Sequence, residues 1–300
     1  MNPFPGRCCL AAALCGVLAM GCQSTPRARA DKADPDATDV WIATRLAETA
    51  RHADDPPPHG IKPTLMAVKL VATYPHDPQA FTQGLTLRQG ELYESTGLNG
   101  ASSVRQVDIA SGKVLQQTRL PEEHFAEGLA WVKDQLYQLT LSSRVMVYDA
   151  TTLAKVRELP STGENWGLCF DGTQLVTSNG SDTLVMRNAD TFAETGRLRV
   201  KIEGGGFWIG GLNAIECVGD FVYANVWPTD SIVKIDRRTG DVTAVIDASS
   251  LPAARERDHS ARVMNGLVMN GIAYRPETDT FLLTGKMWSQ LYEVKLVPAP

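Results

Sequence analysis

The sequence predicts an all-β chain, a five-bladed β-propeller of four-stranded antiparallel blades, and three observations carry that expectation. The first is a repeat in which a polar or aromatic residue and then a small one open an apolar strand: Gln83-Gly84-Leu85, Glu127-Gly128-Leu129, Trp166-Gly167-Leu168, Asn213-Ala214-Ile215 and Asn270-Gly271-Ile272. The small residues lie 44, 39, 47 and 57 positions apart, a spacing in the range of propeller blades. The second is a hydrophobic strand nine residues after each of the first four small positions, at Tyr93, Tyr137, Val176 and Tyr223, with Leu282 eleven residues after the fifth. The third is an Asp or Asn ending a later strand before a turn, at Asp108, Asp149, Asn188 and Asp236. Such side chains cap their own turns, and Gly112 and Gly240 supply positive φ. From about Thr64 to Leu296 there is room for five such units, and short strands alternating with turns argue against helices.

The segments before the repeat read differently. Arg7 precedes an apolar stretch from Cys8 to Met20, the length of a secretory h-region and too short to span a bilayer as a mature helix. Residues 1–22 are therefore expected to be an export signal. Leu18-Ala19-Met20-Gly21-Cys22 resembles a bacterial lipoprotein cleavage site, with Cys22 as the lipidated residue; ordinary cleavage after Ala28 or Ala30 is the alternative. Residues 23–62 are polar, charged and proline-bearing, with Asp54-Asp55-Pro56-Pro57-Pro58 stiffening the end of the tether. Trp41, Leu46 and Ala50 mark one face of a candidate short helix from Val40 to His52. Residues 63–300 are the expected propeller domain.

Composition narrows the partners. With a net charge of −5 and no Lys/Arg run, nucleic acid is not an expected partner. Membrane contact is expected only through a lipid on Cys22, the localisation is exported (periplasmic or envelope-anchored), and a monomer is expected. Four of six cysteines lie in the signal region, leaving Cys169 and Cys217 in predicted innermost strands. Buried free thiols are the expectation, with pairing open only if adjacent strands bring their Cα atoms within about 7 Å.

Propeller geometry converts the repeat into a site. The first strand of every blade lines the central channel, so Gln83, Glu127, Trp166, Asn213 and Asn270 form a ring about one axis. The antiparallel second strand ends on the same face, at Gly97, Leu141, Gly180, Trp227 and Lys286. One mouth thus gathers a carboxylate, an amine, three amides and two indoles, with Phe81, Phe125, Trp166, Trp227 and Trp288 as candidate walls for a small-molecule pocket. The competing reading is that polar strand-start residues only satisfy loop backbones and channel waters. Glu127 resists it, because a carboxylate between Phe125-Ala126 and Gly128-Leu129 has its pKa raised by burial unless Lys286 compensates, which suits proton transfer near neutral pH.

Tyr74-Pro75-His76-Asp77-Pro78-Gln79-Ala80-Phe81-Thr82-Gln83-Gly84-Leu85 resembles the opening signature of the plant-type glutaminyl-peptide cyclotransferases, also called glutamine cyclotransferases. Leu92-Tyr93-Glu94-Ser95-Thr96-Gly97, Ala224-Asn225-Val226-Trp227, Asn270-Gly271-Ile272-Ala273-Tyr274 and Thr284-Gly285-Lys286-Met287-Trp288 resemble later blocks in family order. The resemblance implies a five-bladed propeller and the conversion of N-terminal glutamine, on peptides or proteins, to pyroglutamate with release of ammonia. It implies Glu127 as general acid/base, Lys286 and Asn213 close to the reacting carbonyl, and Phe81, Gln83, Phe125, Trp166, Trp227 and Asn270 as pocket lining and binding groups. It also implies no catalytic metal, while leaving room for a structural cation in the channel. The five histidines, His52, His59, His76, His124 and His259, make no HExxH cluster, and His76 is expected in a structured loop beside Asp77 and Pro78.

The chain departs from the family pattern at Leu141, where Trp is frequent, at Asn165, where Glu precedes the Trp, and at Ala126 and Ala214. The Leu141 and Asn165 departures support the rival expectation of a non-catalytic exported propeller that binds peptides or envelope components through the same mouth.

Overall fold

The computed structural model describes residues 62–202, 207–255 and 258–300. The expected signal, the tether up to residue 61, the candidate helix from Val40 to His52 and Cys22 lie outside the described residues.

The described chain is all-β apart from two short helices. Strand β1 (Thr64–Pro75) is followed by a four-stranded antiparallel meander of β2 (Thr82–Arg88), β3 (Glu91–Thr96), β4 (Ser103–Val107) and β5 (Val114–Arg119). A second four-stranded sheet comprises β6 (Ala126–Val132), β7 (Gln135–Thr140), β8 (Arg144–Asp149) and β9 (Lys155–Pro160). A third comprises β10 (Leu168–Phe170), β11 (Leu175–Thr177), β12 (Thr183–Arg187) and β13 (Glu194–Arg199). A small hairpin of β14 (Lys201–Ile202) and β15 (Phe207–Trp208) precedes the fourth meander, β16 (Leu212–Val218), β17 (Phe221–Val226), β18 (Ser231–Asp236) and β19 (Val242–Asp247). Helices α1 (Pro252–Arg255) and α2 (His259–Met264) lead to β20 (Met269–Arg275), β21 (Thr280–Gly285) and β22 (Gln290–Pro298).

The last strands join in a way the linear repeat does not predict. β1, from the N-terminal side, pairs antiparallel with β22 and parallel with β19, so the strand order β16-β17-β18-β19-β1-β22-β21-β20 forms one eight-stranded sheet. The final meander therefore borrows its fourth strand from the start of the described chain. The two helices are a further departure from the helix-free expectation. They lie within the longest interval of the repeat, the 57 positions from Ala214 to Gly271.

Burial follows position within each sheet. β2 and β6 are buried along most of their length, whereas β5, β9 and β13 share one alternating pattern in which no residue is fully buried. Apolar side chains fill the spaces between sheets: Val104, Leu129, Leu136 and Met146 form one cluster, and Val145, Leu168, Leu175 and Phe192 another. Each fully buried Leu or Met of this kind stabilises by about 1.5–3 kcal/mol.

The predicted turn caps form at all four positions. Asp108 Oδ2 accepts from Ser111 N (2.8 Å), Asp149 Oδ1 from Thr152 N (2.9 Å), Asn188 Oδ1 from Thr191 N (2.9 Å) and Asp236 Oδ1 from Arg238 N (2.8 Å). The residue four places after each cap has positive φ: Gly112 and Gly240 where the sequence supplies glycine, Leu153 (49°) and Phe192 (61°) where it does not. Both bulky residues are buried to 0–1% exposure, so the cost of a left-handed backbone, about 1–2 kcal/mol, is offset by core burial.

Cys169 on β10 and Cys217 on β16 form a disulfide with a Cα–Cα distance of 5.5 Å, which replaces the expectation of free thiols. Neighbouring first strands approach closely enough to meet the distance condition.

Candidate active site

The five first strands touch in a circuit, β2 to β6 to β10 to β16 to β20 and back to β2. The small residue of each repeat permits this approach: a Cβ on Gly84 would lie 2.8 Å from Leu129 N, and one on Gly128 2.5 Å from Leu168 N. The Gly128 N–H donates directly to the Trp166 carbonyl at 2.7 Å. In the repeated pair, the small residue is thus a packing requirement.

The polar partner sits on a β-bulge. Registers jump from Thr82↔Thr96 to Gly84↔Ser95, from Ala126↔Thr140 to Leu129↔Gln138, from Leu212↔Val226 to Ile215↔Ala224 and from Met269↔Gly285 to Ile272↔Leu283. Gln83, Glu127, Asn213 and Asn270 occupy these irregularities, which re-aim a side chain out of the regular alternation. Sequence spacing located the residues; only the register reveals the device.

These ring members are not equivalent. Asn270 Nδ2 donates to Gln83 Oε1 (2.9 Å) and to the Thr82 carbonyl (3.0 Å), while its Oδ1 accepts from Ala214 N at 3.4 Å. Asn270 and Gln83 therefore brace adjacent first strands. Asn213 differs, because its buried Oδ1 has no hydrogen-bond partner among the described residues. An amide oxygen left unmatched at 4% residue exposure is suited to a group brought by a ligand.

Glu127 and Lys286 are both buried, at 4% and 8% exposure. Burial pushes the Glu127 carboxyl well above the ordinary carboxylate range; Lys286 opposes that rise and Glu164 adds to it. Burial lowers the Lys286 ammonium, with Glu127 opposing. Desolvation thus brings the two proton affinities toward each other, the condition in which one carboxylate can take up a proton and give it back.

Aromatic rings pair off at these strand ends, one of them beside Lys286. Phe81 and Phe125 meet edge to face at 6.0 Å, Trp166 and Trp227 at 6.2 Å, and Lys286 Nζ lies 4.8 Å from the Phe81 ring centre. Gly97 and Gly180, at the ends of second strands, make room for these rings: a Cβ on Gly97 would lie 2.5 Å from Phe125 and one on Gly180 2.4 Å from Trp166. Trp288 is not a wall. At 4% exposure it packs against Tyr292, its indole N–H donating to the Leu267 carbonyl at 3.0 Å.

Leu141 is 39% exposed at its second-strand end, so the mouth there is apolar and open. Asn165 is buried and committed to structure, its Nδ2 donating to Ser161 Oγ (2.9 Å) and its Oδ1 accepting from Arg187 (2.9 Å). The adjacent Glu164 accepts the Trp166 indole N–H at 2.9 Å.

Two supports escaped sequence reasoning. The helical insertion supplies the first: Arg262 of α2 grips Asp230, three residues after Trp227, through two hydrogen bonds of 2.9 and 2.5 Å. The same insertion continues to Val268, whose carbonyl accepts the Lys286 backbone N–H at 2.9 Å. The long interval before Gly271 was the available signal. The second is a buried charge network around Glu94, whose carboxylate accepts from Thr82 Oγ1 (2.6 Å) and Arg105 Nε (2.9 Å) and meets His76 Nε2 (3.0 Å); Arg105 also donates to Asp77 (2.8 Å). The signature segment around His76 is thus a structured loop, as expected. Among the described residues no group of three or more His, Cys, Asp or Glu is arranged to hold a metal ion.

Comparison with known proteins gives the family. The sequence model of the family described as glutamine cyclotransferase matches residues 40–296. The chain is 35% identical over 235 residues to the glutaminyl-peptide cyclotransferase of Arabidopsis thaliana, covering 77% of this chain and 72% of that protein. Its structure superposes on the crystal structure of Myxococcus xanthus glutaminyl cyclase with a TM-score of 0.73 and 34% identity, over 80% of this chain and 100% of that one. With a sequence match over most of its length and a solved relative of the same architecture, the chain belongs to the glutamine cyclotransferase family.

Proposed function

We propose that this chain is a glutaminyl-peptide cyclotransferase that converts the N-terminal glutamine of peptides or proteins to pyroglutamate and releases ammonia, on a five-bladed propeller spanning residues 63–300. The closed circuit of five first strands supports the blade count, with the eight-stranded sheet counted as two blades joined through β1 and β19. The observation that carries the activity is the buried Glu127 on its bulge, its carboxyl raised by burial against the opposing charge of Lys286.

In this reading the rings hold the glutaminyl side chain folded over its own α-amine, so attack is intramolecular and orientation supplies much of the acceleration. The amine nitrogen bonds to the γ-carbonyl carbon and gives up a proton to the Glu127 carboxylate. The oxygen of the tetrahedral intermediate is stabilised by the Lys286 ammonium, and Asn213 orients the substrate through its amide. Glu127 then returns the proton to the departing nitrogen, the C–N bond of the former carboxamide breaks and ammonia leaves. One carboxylate serves both transfers, so the balance closes without another reactant.

Phe81, Phe125, Trp166 and Trp227 line the pocket, while Gln83 and Asn270 hold its floor. No metal enters these steps. Export and anchoring through Cys22 rest on the N-terminal sequence, and recovery of the native protein from the cytosolic fraction would remove that part. The test of the activity is ammonia release, with loss of the mass of one ammonia from the peptide, measured on a glutaminyl dipeptide and on its N-acetylated control. Loss from the free dipeptide alone, absent in Glu127→Gln, is expected. No loss from any glutaminyl peptide would favour the binding-only alternative, with the open side at Leu141 as its structural basis.

A further inference from the structure

His76 connects two segments that both reach the mouth. Its backbone N–H donates to the Ser289 carbonyl at 3.0 Å, and its Nδ1 lies 2.6 Å from the Trp288 carbonyl. A carbonyl can only accept, so Nδ1 carries hydrogen. Nε2 lies 3.0 Å from Glu94 Oε1, an oxygen that already accepts from Thr82 Oγ1 on a carboxylate that also accepts from Arg105. Nε2 therefore donates as well, and the ring is an imidazolium at 6% residue exposure.

The charges that face it are complementary. Glu94 lies on β3, Arg105 on β4 bonds both Glu94 and Asp77, and Thr82 on β2 completes the shell. Burial alone would strip the proton from His76, but the Glu94 charge and its hydrogen bond outweigh that and raise the ring above its ordinary range.

The two segments it ties carry the chemistry. On one side are Phe81, Thr82 and Gln83; on the other are Lys286, Met287 and Trp288. The Met287 N–H donates to the Ala80 carbonyl at 2.7 Å, so the segments are stitched on both sides of His76's reach. The resulting spacing is the 4.8 Å between Lys286 Nζ and the Phe81 ring.

We propose that His76 is a positioning residue for Lys286, its two N–H groups holding the 286–289 turn against the β2–β3 pair through Glu94. The inference rests on the cyclotransferase reading. Its proton is part of the device, because a neutral ring has one donor for two acceptors and must release either the Trp288 carbonyl or Glu94.

The test is a double-mutant cycle on kcat for a glutaminyl dipeptide, with His76→Gln, Lys286→Met and the combination. His76→Gln cannot bridge both acceptors, and a loss of about tenfold or more is expected, since small misplacements at a reacting centre are expensive. In the Lys286→Met background the same change is expected to cost less than about twofold. Equal losses in both backgrounds would mark His76 as merely structural and overturn the proposal. Thr82→Val provides a second cycle should His76→Gln not fold: a smaller loss that also vanishes without Lys286 is expected, and additivity there overturns the proposal equally. Nitrogen NMR of the wild-type ring is the third arm, where an imidazolium at pH 7 is expected and a neutral ring refutes the device. A wild-type enzyme inactive on every glutaminyl peptide would instead refute the cyclotransferase reading, so the two failures are distinguishable.

Discussion

Replacing Glu94 by Gln tests the electrostatic frame beneath the mouth without touching the reacting groups. Glu94 is 1% exposed, and although burial pushes its carboxyl up, the His76 and Arg105 charges and their hydrogen bonds hold it down to about 2, against an ordinary 4.5. Each tenfold change in proton affinity corresponds to about 1.4 kcal/mol, so the ionised group contributes about 3 kcal/mol at neutral pH. The sign follows from a depressed pKa: the contribution is present above about pH 4.5 and is lost as pH falls toward 2. Gln also leaves the buried His76 without its counter-charge and Arg105 with Asp77 alone, which places the expected loss in the range of about 3–5 kcal/mol found for broken buried pairs. Urea unfolding of wild type and Glu94→Gln at pH 7 and at steps down to pH 3 reads the difference directly, with a fall in Tm of about 10 °C as the thermal counterpart. A difference below about 1 kcal/mol at pH 7, or one that stays constant as pH falls, would refute the assignment of Glu94 as an ionised hub.

Glu127→Gln should lower kcat by about 10²–10⁴-fold, the usual contribution of a positioned acid/base, without lowering Tm, since ionised Glu127 is disfavoured by burial. In the wild type, activity should fall on the acid side at a pH above 4.5, where the raised carboxyl takes up its proton, and a pH profile with the limb of an ordinary carboxylate would count against that role. Reduction of Cys169–Cys217, or Cys169→Ala with Cys217→Ala, should cost about 4 kcal/mol for a cross-link over 48 residues, and unchanged denaturation midpoints with and without reductant would contradict it. Gly180→Ala should raise KM more than it changes kcat, because φ is 79° and the new Cβ would meet the Trp166 ring at 2.4 Å; unaltered Trp166 fluorescence and KM would show that the wall is not set there.

Much of this molecule is written locally. Polar–small pairs mark each innermost strand because the small member is needed where first strands touch, and that need repeats with every sheet. Asp108, Asp149, Asn188 and Asp236 cap the turns predicted for them because an Asx cap satisfies N–H groups two and three residues away. Glu127 and Lys286 were brought to one mouth by counting strands alone, since antiparallel pairing returns a second-strand end to its first-strand start. Separations beyond one repeat were decided elsewhere. β1 completes the sheet of β22 because ring closure brings together segments whose contact no local pattern encodes, and the Cys169–Cys217 bridge forms because neighbouring first strands pack side by side. His76 and Glu94 are 18 residues apart, and Trp288 lies 212 residues from His76, so their network exists only once the first and last strands are joined. The strand repeat and the turn chemistry follow from local sequence, which also nominates candidates for the mouth, of which Trp288 packs away from it. Which ring amides brace the channel and which oxygen stays unmatched follow only from the closed fold, because burial, register and hydrogen-bond partners are its properties.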